Sequence, residues 1–353
     1  SGGSFLPVGG RSKPGLAHGA PEIMLLETAG LNGIVTYDPA EYTISALAGT
    51  PVRQVELELN RHGQYLPFDP PLGLRGATLG GCVAAGVNGP GRYRYGGMRD
   101  FLLAARFIDG RGNLVTGGAK VVKNAAGFDL PKLMVGSMGA LGVLVELTFK
   151  VFPKPEALRT LCLRFEPGEP HQGLQAAVEV LQRFSANPLD LDALDLEVAP
   201  GKLAIWMRIG GLDETIQARA AHLQEFAGGG EFVPTSNAAQ FWEAVLNFSW
   251  APAGWQLARI AITPTRLLEL EQALQEIPAL SSSLRWYSCG GQQAWIAFEA
   301  GVEALDGLLK RLNLGGQALF GPSPFLRLGT HSGAEFYQRV KQAIDPLAVF
   351  RGV

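Results

Sequence analysis

The chain has 353 residues, a net charge of −2, 47% hydrophobic residues and 18% charged ones. That balance supports a large buried core spread over two or three compact units and excludes a disordered chain. No Lys/Arg block marks nucleic acid as a partner, and no apolar run reaches the roughly 18 residues that span a bilayer.

Taken in chain order, the first stretch reads as short strands and turns. Residues 41–48 (EYTISALA) alternate like a strand. Thr50 then reads as an N-cap with Pro51 at N1, and Val52, Val55 and Leu59 share one helical face that Gly63 closes. Phe101 to Ile108 reads as a strand, and Asp109-Gly110 turns the chain into Leu114 to Thr116. Asp129 caps a short helix carrying Leu130, Leu133 and Met134, stopped near Gly136. From Gly142 a half-buried strand puts Val143, Val145, Leu147, Phe149 and Val151 on one face, with Glu146, Thr148 and Lys150 on the other. Pro153 and Pro155 break the pattern and mark a domain boundary.

Beyond Pro155 helices and strands alternate more regularly. Helices are expected near residues 173–185, 214–226, 239–248, 266–277 and 303–312. Strands are expected near 194–198, 203–209, 255–262, 284–289 and 295–298. Helices interleaved with strand pairs suggest a mixed sheet with helices on one face. The composition of residues 336–353 does not continue this pattern, so the tail is expected to return to the first unit. The three cysteines, Cys82, Cys162 and Cys289, are far apart and odd in number. They fit neither a disulfide framework nor a zinc site, and a reducing, cytoplasmic setting is expected. The start of the chain carries no signal-peptide pattern.

Many of the 46 glycines crowd into the first 142 residues. Three segments carry them: Pro7-Val8-Gly9-Gly10-Arg11-Ser12-Lys13; residues 66–100, with LPFDPP and GATLGGCVAAGVNGPGRYRYGGMRD; and residues 123–143, KNAAGFDLPKLMVGSMGALGV. Glycines let a backbone approach a ligand closely, and successive backbone N–H groups in a tight turn hold a diphosphate. Gly80, Gly81, Ala84, Ala85 and Gly86 leave room beside a planar ring. Any one segment alone also suits the turns of a loop-rich β unit. Neither G-x-G-x-x-G between strand and helix nor G-x-x-x-x-G-K-[ST] occurs, and the Gly136, Gly139, Gly142 series follows a helix instead of opening one.

Together and in this order, the segments resemble FAD-linked oxidases of the vanillyl-alcohol oxidase (PCMH) type, and among them the smaller flavin subunit of bacterial glycolate oxidase. The likeness is specific over about residues 5 to 160. Further on it rests on WQLARIAI, LRWYS and DPLAVF. It implies an α+β fold: a two-subdomain PCMH-type FAD-binding domain over residues 1–155, then an α/β cap domain over 156–320. The cap would carry a mixed or antiparallel sheet with helices on one face, and the tail 321–353 would return to the FAD domain. The resemblance places Gly9, Gly10, Arg11, Ser12 and Lys13 in the pyrophosphate turn. Thr78, Gly80 and Gly81 would lie along the pyrophosphate and ring, and Asn88, Gly89, Pro90 and Arg92 nearer the isoalloxazine. Gly127, Asp129, Gly139, Gly142 and Val143 would line the adenosine half. Arg11 stands where covalent relatives place a His, and His18 comes too late to replace it, so the implied FAD is dissociable. Cys82 reads as a small buried apolar residue and not as a flavin ligand.

Flavin chemistry needs a cation or N–H dipole near the reduced ring, for which Arg92 and Lys123 are candidates. Trp255 to Arg259 (WQLAR) resembles, with one extra residue, the context of an Arg that holds a substrate carboxylate in metal-dependent D-2-hydroxy acid dehydrogenases. Those relatives also use paired histidines for metal and base. Here His18, His62, His171, His222 and His331 are isolated, and no metal is expected; His62, at a helix end, reads as structural. No cysteine cluster could hold an iron–sulfur centre. The implied role is oxidation of glycolate or a related 2-hydroxy acid within a complex. A larger flavin subunit and an iron–sulfur subunit would be the partners, passing electrons onward and giving any membrane association. A stand-alone flavin oxidase or dehydrogenase of an alcohol, sugar or hydroxy acid is the alternative. A non-catalytic assembly subunit is the reading from another class. Among the aromatic residues of the second unit, mostly expected in the core, Arg285-Trp286-Tyr287 is the cluster to test.

Overall fold

The computed structural model describes residues 4–16, 23–119, 129–166, 170–187 and 189–352, the side chains of 170 and 171 excepted. Two compact units emerge. One comprises Ser1–Gly89, Gly96–Lys154 and Ser332–Val353; the other comprises Pro90–Tyr95 and Pro155–His331. Among the described residues no helix is long and apolar enough to cross a membrane.

In the first unit, the described strands form a five-stranded antiparallel sheet in the order Ile34–Asp38, Thr43–Leu47, Val143–Lys150, Leu102–Ile108, Leu114–Gly118. The helix Val52–Arg61 buries Val52, Val55 and Leu59, as their spacing requires. Its N-cap is Pro51, not Thr50. The Thr50 hydroxyl instead bonds Gly33 on both sides, accepting from its N–H at 2.9 Å and donating to its carbonyl at 3.1 Å. Thr148 also departs from expectation: it is buried, with its hydroxyl 2.8 Å from that of Ser45 directly across the sheet. A paired hydroxyl can be buried at little cost, so the polar side of that strand is not its exposed side. His62 caps the end of its helix and meets the Tyr37 ring edge to face at 5.1 Å. Asp129 caps the Leu130–Met134 helix through the Lys132 N–H at 3.4 Å.

A separate parallel pair, Phe5–Val8 with Met24–Glu27, carries the first glycine segment at its end. The chain's tail closes on the same strand. Phe5 donates to Val349 at 2.7 Å and accepts from the Arg351 N–H at 3.0 Å.

The second unit is built on a nine-stranded sheet whose neighbours all pair antiparallel. Side chains alternate along each strand, so the two faces differ. One face packs Leu161, Leu194, Leu196, Ile205, Met207 and Ile296 against the helices Pro170–Ser185, Asp213–Ala227, Leu267–Gln275 and Val302–Arg311. The helix Thr235–Leu246 lies against the other face, where Trp242 donates to Thr160 at 2.9 Å. That face is aromatic and polar. The Trp286 indole donates to Asp195 at 2.8 Å, Trp206 to Glu197 at 2.9 Å and Trp295 to Ser288 at 3.0 Å.

The same alternation separates Arg285, Trp286 and Tyr287. Arg285 makes two hydrogen bonds, of 3.0 and 2.7 Å, to buried Glu271, and the Tyr287 hydroxyl donates to the same carboxylate. Burial, reinforced by Glu271, pushes the Tyr287 pKa well above the ordinary tyrosine range, so it stays a donor. Trp286 points the opposite way, toward Asp195.

Candidate functional site

Two adjoining grooves lie in the first unit, of about 530 and 360 Å³, sharing Pro7, Gly9, Gly81 and Ala84 in their walls. They are assembled from three pieces distant in sequence. The first is the end of the Phe5–Val8 strand. Thr28 pins it by donating both its N–H, at 2.8 Å, and its hydroxyl, at 3.1 Å, to the Val8 carbonyl. Beyond that pin the N–H groups of Gly9, Gly10, Arg11, Ser12 and Lys13 make no hydrogen bond to another described residue. Consecutive amides left open in a turn form a concavity for anions. A Cβ at Gly10 would overlap the Gly76 carbonyl, so only glycine lets the two segments lie this close. Lys13 is buried, lines the larger groove and holds its ammonium 3.3 Å from the Ser12 hydroxyl. Arg11 lies in the left-handed region at φ +49 and pairs with Glu27, both side chains being half exposed.

The second piece is the helix Leu79–Ala85, capped by the Thr78 hydroxyl, which accepts from Gly81 at 3.2 Å. Its groove-lining wall consists of Gly80, Gly81, Ala84 and Ala85, small enough to let a flat ring approach. The third piece is the loop 136–142, held to that helix by Gly136 N–H to Val83 at 2.9 Å and Met138 N–H to Ala84 at 2.8 Å. Gly142 has φ +148, and a side chain there would run into the Ile108 carbonyl. Ser137 is only 7% exposed, lines the smaller groove and has no hydrogen-bond partner for its hydroxyl among the described residues. Leaving a buried hydroxyl unpaired costs about 1–3 kcal/mol, so its natural partner is a bound ligand. Open amides and a buried ammonium suit a diphosphate, the Ser137 hydroxyl suits a polar group of the nucleotide, and the small-residue wall suits a planar ring. These residues fit FAD.

Of the residues singled out in the sequence, Gly9, Gly10, Arg11, Ser12, Lys13, Thr78, Gly80, Gly81, Gly139 and Gly142 line these two grooves. Asn88, Gly89, Asp129 and Val143 do not. Asn88 braces its surroundings by accepting from Met98 N–H at 2.6 Å, and Gly89 donates to the Phe68 carbonyl at 3.0 Å. Pro90 and Arg92 belong to the second unit. Gly127, Lys123 and His18 lie outside the described residues. Thr28, Ala48, Ser137 and Met138 are groove residues that sequence reasoning did not single out; for Ser137, its place between Gly136 and Gly139 was the available signal. Cys82 is fully buried and in neither wall, and burial raises its thiol pKa against the lowering pull of Lys13. It is a poor nucleophile there.

A second cluster lies within the other unit. Arg259, on the strand Gln256–Ala261, stands opposite Gln317 in the register and donates to its side-chain oxygen. Burial, and then the charge of Arg92, pushes the Arg259 pKa down to about 10. The guanidinium still carries its proton near neutrality, beside a second cation.

Residues 1–118 match the family described as an FAD binding domain. Glycolate oxidase subunit GlcE of Escherichia coli (strain K12) is 34% identical over 326 residues, which cover 90% of this chain and 83% of that protein. D-lactate dehydrogenase of Anaerostipes hadrus is 31% identical over 192 residues, 54% of this chain but only 38% of its own length. Glycolate oxidase subunit GlcD of Bacillus subtilis (strain 168) is 30% identical over 168 residues, 47% of this chain and 34% of that protein. A solved structure of alkyldihydroxyacetonephosphate synthase superposes with a TM-score of 0.71 at 15% identity, covering 98% of this chain and 71% of that one; this likeness speaks for the fold alone. The extent and identity of the first match, joined to a groove whose residues fit FAD, place the chain in the FAD-binding family of glycolate oxidase subunit GlcE.

Proposed function

We propose that this chain is a flavin subunit in the oxidation of glycolate or a related 2-hydroxy acid to the 2-oxo acid, with FAD held non-covalently in the two grooves. The observation that carries the reading is the run Gly9 to Lys13, whose amides bond no other described residue, in a groove it shares with a small-residue wall. What FAD supplies when bound is two-electron acceptance, which no side chain here can provide. The chain's own part is to hold and orient. The amides of residues 9–13 and the Lys13 ammonium would take the diphosphate. Ser137, Gly139 and Gly142 would border the other half, and Asn88, Gly89, Asp129 and Val143 would support the loops around it.

Arg259, with Arg92 beside it, would receive a substrate carboxylate, since an anion relieves the repulsion of the two guanidiniums. A larger flavin subunit and an iron–sulfur subunit are the proposed partners, because GlcD and GlcE relatives both carry the name of glycolate oxidase subunits. Any membrane association would come through them. The Arg92–Arg259 pair also favours a second reading, in which this chain turns over a hydroxy acid without partners.

Absorption spectra before and after acid precipitation test the cofactor. Yellow protein whose flavin enters the supernatant supports the reading, whereas flavin that stays with the precipitate contradicts non-covalent binding. Glycolate-driven bleaching, followed for the chain alone and with candidate partners, separates the two functional readings. Arg259→Gln is expected to weaken bleaching roughly 30-fold, the equivalent of about 2 kcal/mol for a charged hydrogen bond. An unchanged rate at low substrate would remove Arg259 from the site.

A further inference from the structure

One buried lysine ties the C-terminal segment to the 136–142 loop directly and, through residues 349–351, to the Phe5–Val8 strand. The Lys341 ammonium, on the helix Ala334–Ile344, donates to the Ala140 carbonyl at 2.6 Å, the Asp345 carboxylate at 2.6 Å and the Phe350 carbonyl at 2.8 Å. All three of its protons are thereby used. Asp345 also accepts from the N–H groups of Val349 at 2.8 Å and Phe350 at 2.9 Å. The lysine side chain is 11% exposed and that of Asp345 not at all.

Two of these connections lead to the cofactor grooves. Ala140 lies in the loop whose Ser137, Gly139 and Gly142 line the smaller groove. Residues 349–351 pair with Phe5, the first residue of the strand that runs into Gly9 and Gly10. Burying an ammonium is costly, and apolar side chains would anchor a tail at least as well. What a lysine adds is a fixed position for a particular carbonyl, and here that carbonyl belongs to the groove loop.

We propose that Lys341 is a positioning residue for the FAD grooves, holding the 137–142 loop in its binding form so that the C-terminal tail and the cofactor stabilise one another. The proposal rests on FAD occupying these two grooves. Coupling of this kind is reciprocal: what the tail adds to FAD affinity, FAD must add to the tail.

The test uses the full chain, stripped of flavin and then reloaded. Amide hydrogen exchange of the unaltered chain is expected to slow about 10-fold or more over residues 345–351 when FAD is added, within the usual range of such coupling. Lys341→Met keeps length and bulk but loses all three donors. It is expected to weaken FAD binding by about 10-fold or more, read by flavin fluorescence, and to abolish the FAD-dependent protection of the tail. A merely structural lysine would lower the melting temperature and leave that protection in place. Tail exchange indifferent to FAD in the unaltered chain overturns the proposal, even where Lys341→Met fails to fold. So does a folded Lys341→Met chain that binds FAD with wild-type affinity. Ser12→Asp, which sets a carboxylate among the open amides, tests the seat of FAD itself. If Ser12→Asp binds FAD normally, the groove reading fails and the proposal with it. If Ser12→Asp loses FAD while the tail ignores the cofactor, only the proposal fails.

Discussion

The groove of the first unit and the aromatic sheet face of the second are built by opposite means. In the first, the groove is made of backbone: open amides, glycines and alanines, with few side chains reaching in. In the second, the sheet face away from the main helices is made of side chains, with each of several indole N–H groups held by a polar partner. A backbone site tolerates many side-chain changes but no added Cβ at its crowded points. A side-chain face tolerates added bulk at its rim but no loss of a buried partner.

Substitutions can break that contrast or sharpen it. The largest loss is expected for Glu271→Ala, which strands the buried Arg285 guanidinium and removes the acceptor of Tyr287. Truncating one member of a buried pair costs about 3–5 kcal/mol, measurable by denaturant unfolding. A loss below about 1 kcal/mol, the scale of an exposed pair, would show that water reaches this pair. Next comes Gly10→Val, which forces the first loop off Gly76. Overpacking of about 1–3 kcal/mol translates to FAD binding weaker by up to roughly 100-fold, read by fluorescence titration. Wild-type affinity in that variant would mean the loop is not pressed against its neighbour when FAD binds. Trp286→Phe keeps an aromatic ring, though a smaller one, and deletes one donor to buried Asp195. About 1–2 kcal/mol of stability should go, while FAD affinity stays put. A matching fall in FAD affinity would undo the separation of the two roles.

The smallest effect is a pH dependence of the tail. Burial alone would raise the Asp345 pKa, but hydrogen bonds from Lys341 and from the Phe350 and Val349 N–H groups outweigh it and hold the carboxyl below its ordinary value. Its folded pKa thus lies under the unfolded one. The stability it contributes is complete above about pH 4 and is lost as pH falls through the folded value. Proteolysis of residues 345–351 by an acid-tolerant protease should therefore rise only below that range. Cleavage rising already near neutrality would implicate another group.

Much of this was legible in the sequence, for local reasons. The Val52, Val55, Leu59 spacing and the Asp129 cap each depend on residues within one or two turns. The glycine segments announced a backbone site because a glycine excess has few other uses. What stayed hidden was non-local. Thr50 serves Gly33 and not its own helix. Residues 157–164 (ALRTLCLR) form a strand whose alternation is blurred by Arg159 and Arg164, and neither it nor Gly315–Phe320 stood out. The separation of Arg285 from Trp286 follows from alternation alone and was readable in principle. Lys341 was not, since its acceptor Ala140 is 201 residues away.

The composition of the first unit from three stretches of chain has a consequence for biosynthesis. A ribosome releases the glycine segments early and the Ser332–Val353 stretch only after the whole second unit. Until then the Phe5–Val8 strand lacks its partner at residues 349–351 and the Ala140 carbonyl lacks Lys341. On the coupling proposed above, the nascent polypeptide would become fully competent for the flavin only once residues 341–351 have emerged, so that chains stalled before residue 341 are poor competitors for the coenzyme.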